Sequence, residues 1–218
     1  MGQSSDSPFH QLRDNTMDNC KVYIIDDAEE VREALALLME SVGIEVELFA
    51  SAEAFLDGDH ENREGCILLD IRMPGMSGME LQSELNKYPC SPPVIIITGH
   101  GDIPMAVRAI QAGAINFIQK PFNEQELLDS VHRAFKLDSQ RRGKSMEIEA
   151  IRKKLNSLTS REIEVLHAIT EGKRNKAIAI ELGISQSTVE AHRAKVMKKM
   201  AARSLSELMR MVICVEDH

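Results

Sequence analysis

Five residues at or just beyond the ends of short β-branched runs carry groups suited to one phosphoryl centre. Asp26 and Asp27 follow Lys21–Ile25, Asp70 closes Cys66–Asp70, Thr98 closes Val94–Thr98, and Lys120 follows Ile115–Ile118. Three carboxylates brought together repel and raise one another's pKa unless a hard cation compensates them, and an all-oxygen site suits Mg²⁺, with Mn²⁺ as a substitute. One carboxylate can then attack a phosphoryl group while the cation and the Lys120 ammonium neutralise its oxygens. The Thr98 hydroxyl can donate to a phosphoryl oxygen and so report its arrival. Taken singly, each residue has a plainer reading: an Asp pair in a solvated turn, a lysine at an exposed strand end, a structural threonine. Their joint placement at four of five strand ends favours a phosphorylation switch over a turnover enzyme.

The elements that must position them follow from periodicity. From Lys21 to about Leu137, β-branched runs alternate with amphipathic stretches, including Glu29–Ser41, Gly78–Tyr88, Ile103–Ala112 and Asn123–Leu137. This predicts an α/β fold, a doubly wound five-stranded parallel sheet with helices on both faces and Ile44–Phe49 as its second strand. Residues 1–19 are polar, without a signal-peptide pattern, and read as a flexible tail. Residues 20–137 form the first domain, and 138–154 form a partly helical linker, polar over Asp138–Lys144 and continued by a helix over Met146–Leu155.

Residues 155–218 are dominated by helix signals. Thr159 stands three residues before Glu162 as a capping box, Asn175–Leu182 ends at Gly183, Ser185 offers an N-cap to a helix reaching Met200, and Ser204 with Glu207 makes another box. Four helices result, with a helix-turn-helix at their centre. On a helical wheel Val189, Val196 and Met200 share one face, and Ser187, Glu190, Ala191, Ala194, Lys195 and Lys198 lie toward the other. The second face suits a major groove: alanines allow close approach, and Glu190 can accept from a cytosine amino group. Arg193, Lys195, Lys198 and Lys176 of the preceding helix are assigned to phosphates. His192 and His167 read as satisfied structural histidines.

The net charge of −8 divides unevenly, −14 over residues 1–138 and +6 over 139–218. A basic module joined to an acidic one points to nucleic acid as partner. With 43% hydrophobic and 28% charged residues and no long apolar run, the chain reads as soluble, with no membrane role. Four widely spaced cysteines without a CxxC pair suggest buried thiols, no disulfide and a cytoplasmic protein.

Val22-Tyr-Ile-Ile-Asp-Asp27, Asp70-Ile-Arg-Met-Pro-Gly-Met-Ser-Gly78 and Lys120-Pro121 resemble the signature segments of response-regulator receiver domains. Thr98-Gly-His-Gly-Asp-Ile-Pro-Met-Ala-Val107 narrows the resemblance to the FixJ-like subgroup. Leu158-Thr-Ser-Arg-Glu162, Asn175-Lys-Ala-Ile-Ala179 and Ser187-Thr-Val-Glu-Ala-His-Arg193 resemble the LuxR-type helix-turn-helix of the NarL/FixJ family. The resemblance implies a flavodoxin-like sheet of order 2-1-3-4-5. It makes Asp70 the phosphoacceptor, and Asp26, Asp27, Asp70 and the Arg72 carbonyl the Mg²⁺ ligands. Thr98 and Lys120 become phosphoryl contacts, Phe117 a switch aromatic, Lys120–Pro121 a cis bond, and Ser187 and Thr188 further DNA contacts. A sensor histidine kinase, double-stranded DNA with paired half-sites, a homodimer when phosphorylated, and RNA polymerase are the partners implied, with transcriptional activation as the outcome.

Two other readings compete. A haloacid-dehalogenase-like phosphohydrolase needs an acid two residues after its nucleophile, where this chain has Arg72. A phosphorylation-independent interaction protein would not need the intact set of Asp26, Asp27, Asp70, Thr98 and Lys120.

Overall fold

The structure is a computed structural model that describes residues 20–58, 63–88, 90–99 and 101–216, so the predicted tail at 1–19 lies outside the described residues. The chain divides into two compact units that meet between Arg142 and Gly143.

In the first unit, β1 (Lys21–Ile25), β2 (Glu45–Phe49), β3 (Gly65–Leu69), β4 (Val94–Thr98) and β5 (Asn116–Gln119) form a parallel sheet of order β2-β1-β3-β4-β5. Helices α1 (Glu29–Ser41), α2 (Ala52–Leu56), α3 (Gly78–Leu85), α4 (Ile103–Gln111) and the long α5 (Glu124–Asn156) connect and follow the strands. The strand alternation sorts apolar side chains onto two faces. Val22, Ile24, Leu68, Ile95 and Ile97 pack with Leu35 and Met39 of α1 and with Leu127, Val131 and Phe135 of α5. Tyr23, Ile25, Ile67, Leu69 and Ile96 pack with Phe55 of α2, Leu81 and Leu85 of α3 and Ala109 of α4. β3 and β4 are buried along their whole length, as central strands covered on both faces must be.

The elements match the sequence expectation closely, with two differences. Helix α2 has only five residues, too few for a periodic signal, and is absent from the sequence reading. The polar stretch Asp138–Lys144 is not a break, because α5 runs unbroken from Glu124 to Asn156. Two of its polar residues have tertiary partners: the buried Asp138 carboxylate accepts from the Gly65 N–H and from Arg142 Nε, both at 2.9 Å. Arg142 also donates to the carbonyls of Arg63 and Cys90.

The second unit holds the end of α5 and α6 (Ser160–Thr170), α7 (Asn175–Leu182), α8 (Gln186–Met200) and α9 (Leu205–Glu216) around Ile151, Val165, Ile169, Ile178, Val189, Val196, Met200 and Leu208. The Thr159–Glu162 capping box forms as predicted. At the start of α9, Ser204 Oγ accepts from Glu207 N–H, but Glu207 returns its bond to the Arg203 N–H. The second box is therefore displaced by one residue. The cysteines are free, as expected, but only Cys66 is fully buried; Cys20, Cys90 and Cys214 are half-buried, less covered than their apolar surroundings in the sequence suggest.

Ala201 closes α8 at φ 54° and ψ 33°, a left-handed conformation that penalises a Cβ by about 1–2 kcal/mol. Glycine relieves that cost and returns part of it through the more flexible unfolded chain. Ala201→Gly is expected to stabilise the second unit by about 0.5–1 kcal/mol, read as a higher midpoint in thermal or urea unfolding.

Candidate functional site: an acidic cluster at the strand ends and an exposed helix face

Parallel strands in matching register deliver their carboxyl ends to one edge, and the order places a crevice between β1 and β3. The ladder continues one residue past three strands. Asp26 N–H donates to the Phe49 carbonyl at 3.2 Å, Asp70 N–H to Ile25 at 2.9 Å, and Lys120 N–H to Thr98 at 2.9 Å. The backbones of these site residues are thus extensions of the sheet, which fixes where their side chains emerge.

Lys120 links the two carboxylates. Its ammonium donates to Asp26 Oδ2 at 2.7 Å and lies 3.5 Å from Asp70 Oδ1. Asp26 Oδ1 also accepts from Ala28 N–H at 2.9 Å, and Asp70 Oδ2 from Arg72 N–H at 2.7 Å. Both aspartates are buried, 4% and 8% exposed. Burial pushes the Asp70 carboxyl above the usual carboxylate range, and the Arg72 N–H and the Lys120 ammonium only partly oppose this. Asp27 stands apart: it is exposed, and its backbone carbonyl accepts from Arg32. Among the described residues no group of three or more His, Cys, Asp or Glu side chains is gathered tightly enough to hold a metal ion. The donor set still suits a hard divalent cation, because two buried carboxylates facing one ammonium leave a negative charge that is not fully compensated, carried on oxygen donors.

Thr98 is buried at the end of β4. Phe117 of β5 is half-buried and packs against the loop after β4 so closely that a Cβ on Gly101 would sit 2.7 Å from its ring. The bond between Lys120 and Pro121 is cis, as the resemblance implied. Gly78, at the start of α3, lies so near the Asp70 carbonyl that a Cβ would sit 2.1 Å from it, which excludes any side chain there.

In the second unit, Val189, Val196 and Met200 of α8 are buried, whereas Ser187, Glu190, Ala191, Ala194, Lys195 and Lys198 are exposed. Lys176 of α7 is exposed; Thr188 and Arg193 are half-buried. Ser185 Oγ caps α8 by accepting from Thr188 N–H at 3.1 Å and lies 2.8 Å from the hydroxyls of Ser187 and Thr188. Asn175 Nδ2 reaches Glu190 Oε1 at 3.4 Å. His192 departs from expectation, since its Nδ1 is buried without a hydrogen-bond partner, and His167 is exposed rather than packed.

Residues 22–132 match the family model of the response regulator receiver domain, and residues 156–212 match that of bacterial regulatory proteins of the luxR family. The chain belongs to the response regulators. This response regulator is 43% identical over 196 residues to the response regulator protein TodT of Pseudomonas putida, covering 90% of the chain and 86% of that protein. It is 44% identical to the transcriptional regulatory protein FixJ of Rhizobium meliloti, over 90% of the chain and 97% of that protein. The solved structure of the response regulator StyR is similar at a TM-score of 0.81 and 44% identity, covering 92% of the chain and 100% of that structure. The chain is thus a transcription regulator that joins a receiver to a LuxR-type DNA-binding domain. Among the described residues no helix is long and apolar enough to cross a membrane.

Two residues that touch the site's loops escaped the sequence reading. Arg32 Nη1 donates to the carbonyls of Asp26 at 2.7 Å and Asp27 at 3.0 Å, clamping the loop after β1 from the first turn of α1. Glu53 of α2 accepts from the Met76 N–H at 2.8 Å in the loop after β3. Both act on backbone atoms, which no residue-type motif records.

The raised carboxyl of Asp70 carries a stability consequence. A group protonated more readily in the folded than in the unfolded chain opposes folding once ionised, so the penalty grows as pH rises from the ordinary value of 3.8 through the folded value. Asp70→Asn is expected to raise the thermal midpoint of the metal-free chain at neutral pH, with the gap to wild type narrowing in acid, as differential scanning calorimetry across pH would show.

Proposed function

We propose that Asp70 is the phosphoacceptor of this response regulator, and that its phosphorylation by a sensor histidine kinase controls DNA binding by the second unit. The observation that carries this reading is the Lys120 ammonium held between Asp26 and Asp70, with Thr98 at the end of the neighbouring strand. In transfer, an Asp70 carboxylate oxygen forms a bond to phosphorus as the bond from phosphorus to the donor histidine nitrogen breaks. Asp26, Asp27, Asp70 and the Arg72 carbonyl would hold Mg²⁺, or Mn²⁺ in its place. The bound cation would offset negative charge on the phosphoryl oxygens. Lys120, already beside Asp70, supplies a second positive charge to the same oxygens. The Thr98 hydroxyl donates to a phosphoryl oxygen, and Phe117, packed against the loop that follows Thr98, carries the change to the surface of α4 and β5. Nothing in this sequence of events turns over a small molecule, so the chain works as a switch.

On the output side, residues 155–218 bind double-stranded DNA at paired half-sites, as a homodimer when the receiver is phosphorylated. Ser187, Thr188, Glu190, Ala191 and Ala194 meet base edges or the adjacent backbone, and Lys176, Arg193, Lys195 and Lys198 meet phosphates. Residues 20–137 act as the receiver module and 138–154 as the helical connection. The same proposal makes the chain a cytoplasmic transcriptional activator that recruits RNA polymerase; the relatives' names support regulation of transcription.

Incubation with acetyl phosphate and Mg²⁺, followed by intact-mass and native-mass measurement, is expected to add one phosphoryl group to wild type and shift it toward dimer. Asp70→Ala is expected to show neither change; an adduct of wild-type yield on that variant would remove Asp70 from its role. Lys198→Ala is expected to weaken binding to all DNA sequences alike and to reduce the slope of log affinity against log salt by about 1, measured by mobility shift across a salt series.

A further inference from the structure

Asp70 lies at the head of a tight loop, Asp70–Ser77, that also carries the Arg72 carbonyl. Two contacts within the loop close it: Asp70 Oδ2 accepts from Arg72 N–H, and Gly78 N–H donates to the Ile71 carbonyl at 3.0 Å. Its outer half is tied from elsewhere. Glu53, on the second residue of α2 and 23 positions earlier in the chain, places Oε1 2.8 Å from the Met76 nitrogen. The same oxygen lies against Gly75, whose φ of +76° forms the turn and whose missing Cβ would sit 2.5 Å from it. The carboxylate is itself oriented at the start of α2, where Ser51 caps the helix by accepting from Ala54 N–H at 3.1 Å. The Met76 N–H holds the Glu53 carboxyl below the usual carboxylate range, as expected of a bond made by the charged form.

We infer that Glu53 is a positioning residue of the phosphorylation site, fastening the Gly75–Met76 turn to α2 so that Arg72 presents its backbone to a cation bound beside Asp70. This rests on the reading of Asp70 as phosphoacceptor and extends it to a residue outside the receiver's acidic set. Glu53 touches neither the cation nor the phosphoryl group. It acts by reducing the number of loop conformations that binding must otherwise select against, so its loss appears as weaker cation affinity rather than slower transfer once the cation is bound.

The test uses the full chain and four proteins: wild type, Glu53→Ala, Glu53→Gln and Asp70→Asn. Affinity for MgCl₂ is read by calorimetric titration, phosphoryl uptake from acetyl phosphate by intact mass across a Mg²⁺ series, and folding by thermal melting. One hydrogen bond of ordinary net strength corresponds to roughly a fivefold change in affinity. Glu53→Ala is expected to weaken Mg²⁺ binding by about that factor and to raise the Mg²⁺ concentration needed for half-maximal uptake in parallel, with the rate at saturating Mg²⁺ near that of wild type. Glu53→Gln keeps an acceptor oxygen and is expected to restore most of the affinity. A Glu53→Ala chain that melts lower yet binds Mg²⁺ as wild type does would overturn the inference, as would a Gln variant no better than Ala. Asp70→Asn separates the two levels: loss of its uptake with wild-type behaviour of Glu53→Ala sinks the inference alone, whereas wild-type uptake by Asp70→Asn sinks the phosphoacceptor reading and the inference with it.

Discussion

A single ammonium held between two buried carboxylates organises the first unit. Lys120 lies 94 positions from Asp26 in the chain and reaches it at 2.7 Å because every element between them places its strand in the same register. A slip of one residue in β1, β3 or β5 would turn the relevant side chain to the opposite face of the sheet. The continuation of the ladder through Asp26, Asp70 and Lys120 removes that freedom, since each main-chain N–H is already committed to the neighbouring strand. The two apolar layers follow from the same constraint. They must be sealed by α1 and α5 on one side and by α2, α3 and α4 on the other for the sheet edge to hold its charges rigidly.

What could be read from residues alone was whatever depends on side-chain type and short-range period. The strands, the boundaries of α1, α7 and α8, and the inward set Val189, Val196 and Met200 follow from alternation, helical spacing, caps and the Gly183 stop. The grouping of Asp26, Asp70 and Lys120 follows from strand ends in an open parallel sheet. Contacts between a side chain and distant backbone were not legible. Arg32 on the Asp26 and Asp27 carbonyls, Glu53 on the Met76 N–H, Gln82 of α3 on the Ala109 carbonyl of α4, and Asn86 just after α3 on the Ala112 carbonyl just after α4 are all of this kind. Any sequence can present a carbonyl or an N–H, so composition carries no trace of these partners. His192 shows the opposite failure, since a wheel position near the packed face does not say whether a ring nitrogen finds a donor or acceptor there.

The polar run Asp138–Lys144 shows how tertiary contacts override local preference. Asp138, Ser139 and Gly143 argue for an interrupted helix, and Gly143 alone costs about 1 kcal/mol against alanine. In the fold, Asp138 is buried and satisfied by Gly65 and Arg142, and Arg142 bridges to two loop carbonyls at the amino ends of the strands. The helix is thereby anchored on the side of the sheet remote from Lys120. Charge at the carboxyl ends of the strands gathers Asp26, Asp70 and Lys120, and charge at the amino ends supplies attachment.

The second unit contains a comparable long-range pair, and the contrast shows what is different about the charges at the sheet edge. Glu162 of α6 accepts from Lys199 of α8 at 2.6 Å and from the Thr159 N–H at 2.9 Å, while Lys199 also donates to the Ser157 carbonyl. One acid meets one base, both are further hydrogen-bonded, and the Glu162 carboxyl is held down at about 2. Such a pair is complete and has nothing left to bind. At the sheet edge one base meets two acids, and the Asp70 carboxyl moves up rather than down. Buried charge is weak evidence for stability in either place; what distinguishes the sheet edge is its stoichiometry, one ammonium facing two buried carboxylates, a balance that a cation would complete. At the sheet edge Asp26 and Asp70 share the Lys120 ammonium between them, so the charge there is not closed as it is at Glu162 and Lys199.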